Sequence, residues 1–305
     1  MMKKINDIIG DAKTIGIAGH VRPDGDCMGS CMSLYNYLKK NRPDLDVRVF
    51  LEFVDKKFNI IENTDQIITT GYDGTKFDLF ISLDTASLDR LGLNLPFYEN
   101  AKRTACIDHH ASNDGYADYN YILPKASSAS EVLYDLLDED LIDKSIAEPM
   151  YMGIAHDSGV FRFQSTTPKT MRIAANMIEK GVNVNMILEE TFFRKTYNQM
   201  MVTAKIQSEA VLALDGKCIY GYCTSEMMEE YGVTTKDLDA VVASIRNVDG
   251  VEVAMFLYQL SEDSYKVSLR SKNYVDVSKI AVENGGGGHV RAAGAEIHGK
   301  LNDII

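Results

Sequence analysis

Two short apolar runs in this chain end on acids. DLFISL (78–83) runs into Asp84, and RTACI (103–107) runs into Asp108-His109-His110. Neither run alternates polar and apolar residues, so both suit strands buried on two faces, as in a parallel sheet. A third short strand, TIGIAG (14–19), is followed by His20-Val-Arg-Pro-Asp24-Gly-Asp26. A helical pattern ending at Ala155 is followed by His156-Asp157-Ser158-Gly159. In an open α/β sheet, ligands bind outside the carboxyl ends of the strands. The sequence therefore calls for a fold that gathers acids and histidines along one sheet edge.

The rest of the pattern fits such a fold. Val47–Leu51 reads as a further strand. Helical periodicity marks Gly29–Lys40, Ser130–Leu137 and Ile142–Ala155, the last with a restart expected at Pro149. Pro168 suits the first turn of a helix over 169–179, with Gly181 as its stop. The first part of the chain thus reads as an α/β, doubly wound, mainly parallel sheet domain over residues 1–190. Residues 191–215 contain few helix breakers and predict a helical connector. Strands at Lys217–Cys223, Val251–Gln259, Tyr265–Arg270 and Ala295–His298, with helices at Thr235–Ser244 and Val277–Asn284, predict a smaller α/β domain over 216–305. The expected place for an active site is the cleft between the two domains.

Charge and cysteine content narrow the function. The chain carries 32 Lys+Arg against 44 Asp+Glu, a net charge of −12. That argues against a long duplex-binding surface, which shows a basic stripe. It leaves room for a small phosphorylated ligand held by a few arginines. The five cysteines form no C-x-x-C pair, which argues against a disulfide framework or a thiolate zinc site. No run of about 18 apolar residues predicts a membrane span, and residues 1–16 lack the continuous apolar core of a signal peptide. A cytoplasmic protein, monomer or homodimer, is the expectation.

A lone Asp after a strand is ordinarily a turn or cap residue, and a lone His is ordinarily packed. The joint pattern differs: four of the six histidines (20, 109, 110 and 156) lie in these clusters. Carboxylates converging on one edge repel unless cations neutralise them. Mixed His and carboxylate ligation without thiolate suits Mn²⁺, Mg²⁺ or Fe²⁺. The expected product is a two-metal site for phosphoryl chemistry, with Mn²⁺ as the leading ion.

In order, His20…Asp24-Gly-Asp26, Asp84-Thr-Ala-Ser87, Asp108-His109-His110 and Asp157-Ser-Gly159 resemble the motifs of the DHH phosphoesterase superfamily. The tail Gly285-Gly286-Gly287-Gly288-His289-Val-Arg291-Ala-Ala-Gly294 resembles the signature of the DHH-associated C-terminal domain. The resemblance spans nearly the whole chain and points to the nanoRNase and pAp-phosphatase branch. It implies that His20 and Asp24 hold one metal, that Asp26, His109 and Asp157 hold the other, and that Asp84 bridges both. Asp108 would orient the site from behind, and His110 would serve as a proton donor or phosphate contact. The metals would lower the pKa of the attacking water. His156 stands where the family does not always place a histidine, and reads equally as an outer contact or a packed residue. Ala111 replaces a frequent proline.

The four glycines carry two readings, a flexible linker or a loop whose backbone N–H groups approach an anion. The resemblance favours the second, with Gly286, Gly287, Gly288 and His289 gripping substrate. Arg270, at the end of YKVSLR, is the leading phosphate or base contact because its guanidinium is a planar fork. Arg291 is next, and Arg246 and Lys272 are weaker. The implied substrates are short oligoribonucleotides, cut to 5′-mononucleotides, and pAp. The alternatives are a phosphodiesterase for cyclic or linear di-adenosine nucleotides (c-di-AMP, pApA) and a non-catalytic nucleotide sensor. The intact ligand set speaks against a sensor, and the glycine-rich tail speaks against an inorganic pyrophosphatase.

Overall fold

The computed structural model describes residues 4–238 and 241–305, and the chain separates into two units, Met1–Arg194 and Lys195–Ile305. In the first, helix α1 (Ile5–Ile9) precedes strand β1 (Thr14–Ala18), helix α2 (Gly25–Asn41) and strand β2 (Asp46–Phe50). Strand β3 (Leu79–Leu83), helix α3 (Leu95–Glu99), and strands β4 (Thr104–Asp108) and β5 (Tyr119–Ile122) follow. Helices α4 (Ala129–Leu136), α5 (Lys144–Asp157), α6 (Pro168–Glu179) and α7 (Val184–Leu188) complete it. The five strands form one sheet, ordered β2-β1-β3-β4-β5, with every neighbouring pair parallel. The expected parallel sheet is present, and β5 is a strand that the sequence pattern did not reveal.

The two faces of this sheet are packed differently. Ile15, Ile17, Leu79 and Ile81 belong to one large core with the apolar faces of α2, α4 and α5. Phe50, Phe77, Phe80 and Phe97 make a separate aromatic cluster. With both faces covered, β3 is wholly buried, which explains the lack of alternation in its sequence.

Helices α2 and α5 approach at Gly29 and Gly153. A Cβ on Gly29 would stand 2.5 Å from the Pro149 carbonyl oxygen and 2.8 Å from the Gly153 Cα. Pro149 does not restart a helix, as the sequence suggested, but lies inside a continuous α5. A proline N cannot donate to the carbonyl four residues back. That carbonyl, of Ser145, accepts instead from Asn36 Nδ2 on α2 at 2.8 Å. The neighbouring helix thus satisfies the group that the proline leaves open.

The second unit begins with helix α8 (Tyr197–Glu209) and strands β6 (Val211–Ala213) and β7 (Cys218–Cys223). Helices α9 (Ser225–Tyr231) and α10 (Val241–Arg246) precede strands β8 (Val253–Ser261) and β9 (Ser264–Ser271). Helix α11 (Val277–Glu283), strands β10 (Gly287–His289) and β11 (Ala292–His298), and the single turn α12 (Leu301–Ile304) end the chain. The sheet order is β10-β11-β9-β8-β7-β6, antiparallel except for β7 with β8.

Residues 191–215 are not one helical connector. A π-helical turn covers Glu189–Phe193. A capping box of Thr196 and Gln199 then starts α8. The chain leaves the helix at Ala210, and Leu214, Asp215 and Gly216, all at positive φ, make the hairpin turn that pairs β6 with β7. The helix expected over Thr235–Ser244 is a short 3₁₀ turn, Thr235–Asp237, and α10; residues 239–240 lie outside the described set.

Gly29→Ala tests the α2–α5 contact. The new methyl meets backbone atoms that can yield only if the helices separate, so a loss of about 1–3 kcal/mol is expected in denaturant unfolding. Parental stability would show that the contact is looser than described.

Candidate metal centre

Each acid or histidine is delivered to the carboxyl edge of the first sheet by a local feature of the sequence. Asp24 is the N-cap of α2, its Oδ1 accepting from the Asp26 and Cys27 N–H groups at 3.0 and 3.1 Å. Asp26 is in the first turn of the same helix. His20 lies near the start of the loop after β1, and its Nδ1 is 2.7 Å from the Val21 carbonyl oxygen. With Nδ1 donating there, Nε2 is the atom that faces Asp24 and Asp84. Asp84 follows β3 at φ +53°, a left-handed conformation that Asp tolerates better than most residues. Asp108 ends β4, and Asp157 is the last residue of α5.

These side chains converge. Three groups have ligand atoms within 4.8 Å of one another: His20, Asp24 and Asp84; Asp26, His109 and Asp157; and Asp84, His109 and His110. Asp84, only 3% exposed, is common to the first and third. Its Oδ2 lies 3.5 Å from His20 Nε2, and its Oδ1 lies 3.6 Å from His109 Nε2. His109 Nε2 is also 3.1 Å from Asp157 Oδ2. Asp26 is held by the start of α4, accepting from the N–H groups of Ala129 at 2.6 Å and Ser130 at 3.0 Å.

Behind the cluster, Asp108 is fully buried. Its Oδ1 accepts from His109 N and pairs with His110 Nδ1, both at 2.8 Å. Its Oδ2 accepts from Asn113 Nδ2 at 2.7 Å. Asn113 also donates to the Thr85 carbonyl, so it ties the segment after β3 to the one after β4. Sequence reasoning missed Asn113, and nothing in its local pattern distinguishes it from a turn residue. It also missed the α4 N-terminus as the seat of Asp26, although Ser128-x-x-Glu131 marks a helix start there.

Burial and the crowding of negative charge shift the titrations of the cluster. Burial alone would lower the pKa of His20, but Cys27, Asp24 and Asp84 outweigh it and push the group up to about 12. Burial acts likewise on His109, and Asp84, Asp157 and Asp26 push it up to about 10. Asp26 is pushed up to about 7, first by burial and then by the charge on Asp84. Burial, with Asp26 adding, raises Asp157 well above the carboxylate range. Asp84 goes the other way: burial opposes its ionisation, but His109 and His20 hold it far below that range. Among the described residues of this unit, no Lys or Arg pairs with Asp24, Asp26, Asp84 or Asp157. Divalent cations would compete with protons for these atoms. An oxygen and imidazole donor set of this kind fits hard or borderline divalent ions.

His156 is set apart from the cluster. Its Nε2 lies 2.9 Å from Thr191 Oγ1, whose own hydroxyl donates to the Ile187 carbonyl, so the imidazole is the donor. Its ring packs beside Phe58 and Phe192 and against Gly25. Burial and then Lys57 lower its pKa to about 4. It is a neutral packed residue.

In the second unit, the glycine run is not a free loop. Gly287 and Gly288 belong to β10, paired with Gly294 and Ala293 of β11. A Cβ on Gly286 would stand 2.2 Å from the Gly294 carbonyl oxygen, and one on Gly288 would stand 2.5 Å from that of Ala292. Close strand approach therefore accounts for two of the glycines. Arg270 pairs in register with Ala292 and donates from Nη1 to the Leu269 carbonyl at 2.9 Å. Arg291, in the β10–β11 turn, donates to the Val275 carbonyl at 2.6 Å. The side chain of His289 lies outside the described residues.

Comparison with known proteins follows the same division. Residues 14–154 match the DHH family, N-terminal domain, and residues 215–305 match the DHHA1 domain. The chain is 32% identical over 295 residues to the bifunctional oligoribonuclease and PAP phosphatase NrnA of Thermus thermophilus, covering 93% of this chain and 84% of that one. It is 28% identical over 290 residues to the NrnA of Bacillus subtilis, covering 93% and 90%. The fold is similar to the crystal structure of an exopolyphosphatase-related protein from Bacteroides fragilis, with TM-score 0.89 and 23% identity over 98% of this chain and 91% of that one.

Cation uptake at this cluster should expel protons. His20 and His109, with raised pKa values, are protonated at neutral pH, and Asp26 and Asp157 are shifted toward their protonated forms. Binding requires their deprotonated forms, so apparent affinity should rise from about pH 6 to about pH 8. Calorimetry in buffers of different ionisation enthalpy should find more than one proton released per protein. A pH-independent affinity with no proton release would contradict this electrostatic description.

Proposed function

The chain belongs to the DHH family of phosphoesterases, and from that premise we propose that it is a two-metal phosphohydrolase of short nucleotides. It cleaves oligoribonucleotides of a few residues to 5′-mononucleotides and removes the 3′-phosphate of pAp. The observation that carries this reading is the position of Asp84, whose two oxygens face two different histidines, His20 and His109. A carboxylate has lone pairs enough to serve both sides at once. The names of the relatives, oligoribonuclease and PAP phosphatase, support the substrate class.

In this reading, His20 and Asp24 hold one ion, Asp26, His109 and Asp157 hold the second, and Asp84 is shared. Mn²⁺ is the proposed ion in both places. Bound there, the ions supply Lewis-acid activation of water and neutralise the phosphoryl oxygens. Protein groups do the rest. Asp108 holds His110 through Nδ1, which leaves Nε2 to keep or deliver a proton. Burial opposes protonation of His110, but Asp108 and Asp84 raise its pKa, and that suits a donor to a leaving oxygen. Arg270, Arg291, His289 and the backbone of Gly286, Gly287 and Gly288 are the proposed nucleotide-binding groups of the second unit.

A kinetic panel tests the proposal, using pAp, pApA, c-di-AMP and RNAs from dimer to long single strand. Chelation should abolish activity and Mn²⁺ should restore it. Efficiency should be highest on pAp and on RNAs of about two to five nucleotides, because the acidic surface repels longer polyanions. Asp84→Ala should lower turnover by several orders of magnitude. Equal or rising efficiency toward the long strand, full activity in excess chelator, or near-normal turnover of Asp84→Ala would each overturn part of this reading.

A further inference from the structure

Ala126–Ser130 contributes no side chain to the metal-type groups, yet it touches two of their members. The Ala126 carbonyl oxygen lies 3.4 Å from His109 Nδ1, and the N–H groups of Ala129 and Ser130 hold Asp26. Ser128 caps the next N–H, that of Glu131, at 3.0 Å. The first three N–H groups of α4 are thus all taken, two of them by Asp26. With Nδ1 turned to Ala126, the His109 Nε2 is the atom that faces Asp84 and Asp157.

This turn is fixed from behind by one carboxylate. Glu131 is 2% exposed, and its Oε2 accepts from Ser127 Oγ at 2.6 Å, Ser127 N at 3.3 Å and Thr170 Oγ1 at 2.7 Å. In a capping box, a Glu at this position would bond the N-cap N–H, here that of Ser128. Glu131 reaches one residue further back, to Ser127, and is joined by a hydroxyl from another helix, α6. Thr170 Oγ1 is aimed in turn, because it accepts from Thr167 N at 3.0 Å in the α6 capping box. Lys169 Nζ stands 3.7 Å from the other oxygen of Glu131. The chain of contacts runs from the start of α6 through Glu131 and Ser127 to the turn, and from the turn to Asp26 and His109.

We propose that Glu131 is a positioning residue for the Asp26–His109–Asp157 group. It sets the Ala126–Ser130 turn, and the turn aims Asp26 and His109. Glu131 touches neither ion nor substrate. The inference rests on the two-metal reading above and adds a selective consequence: loss of Glu131 weakens one of the two ion sites more than the other. Groups that orient metal ligands from outside typically change affinity by about 10–100-fold when removed.

The test is calorimetric titration of Mn²⁺ into the intact protein without substrate. Wild type, Glu131→Ala, Glu131→Gln and Thr170→Val are compared, and Asp26→Ala identifies which binding class belongs to the Asp26 group. Glu131→Ala should weaken that class by about tenfold or more and leave the other within about threefold. Glu131→Gln keeps an acceptor for Ser127 and Thr170 and should recover most of the loss. Thr170→Val should weaken the same class by a smaller factor. A purely structural role predicts lower thermal stability with both classes shifted alike or neither shifted, and Gln no better than Ala; either result overturns the proposal. Should Glu131→Ala fail to fold, Thr170→Val carries the decision: a selective shift supports the proposal and an unmoved titration overturns it. A wild type with two classes and an unmoved variant removes only this proposal. A wild type with a single class removes the two-metal reading, and this proposal with it.

Discussion

Carboxylates brought together at one sheet edge repel one another, and this repulsion governs the first unit. At 4 Å and an effective dielectric of about 20, two like charges cost on the order of 4 kcal/mol. Asp24, Asp26, Asp84 and Asp157 belong to overlapping groups in which the ligand atoms lie within 4.8 Å. No Lys or Arg among the described residues of the unit answers them. The raised pKa values of Asp26, Asp157, His20 and His109 follow from burial of the acids and from the negative charges around all four groups. Divalent ions would remove the same repulsion and release the protons these groups hold.

Holding such a cluster together requires strong fixed partners, and the fold supplies them as helix starts. The N-terminus of α2 is capped by Asp24, and that of α4 is satisfied by Asp26. Both arrangements place negative charge where the helix dipole favours it. The α2–α5 contact at Gly29 and Gly153 then brings the helix carrying Asp24 and Asp26 against the one ending in Asp157. A Cβ on Gly153 would stand 2.7 Å from Asp26 Oδ1, so helix packing and site geometry are one constraint here.

Much of this was legible in the sequence because it depends on local signals. The buried strands β1, β3 and β4 show as short apolar runs, and the residue after each is read off directly. His20, Asp84, Asp108 and His109 follow from that rule taken with the clustering of four of the six histidines at these ends. Asp157 follows from a helix pattern. Tertiary partners were not legible. Asn113 matters because it bridges two loops, and Pro149 is tolerated in α5 because Asn36 on another helix takes the Ser145 carbonyl. Edge strands were missed for a related reason. In β10, the glycines carry no apolar pattern, and their strand character comes from pairing with β11. The extended helical reading of 191–215 holds only for α8, because a π-helical turn and the Thr196 cap precede it and pairing with β7 draws 211–213 into a strand.

The central claim is that one carboxylate, Asp84, joins two ion sites. Electron paramagnetic resonance of the Mn²⁺-loaded protein tests it most directly, since ions about 3.5–4 Å apart on a shared ligand couple magnetically. At two equivalents of Mn²⁺, the wild type should give an exchange-coupled spectrum. Asp84→Ala should give only isolated-ion signals at the same loading. A wild type that binds one ion, or two that remain uncoupled, would contradict the account.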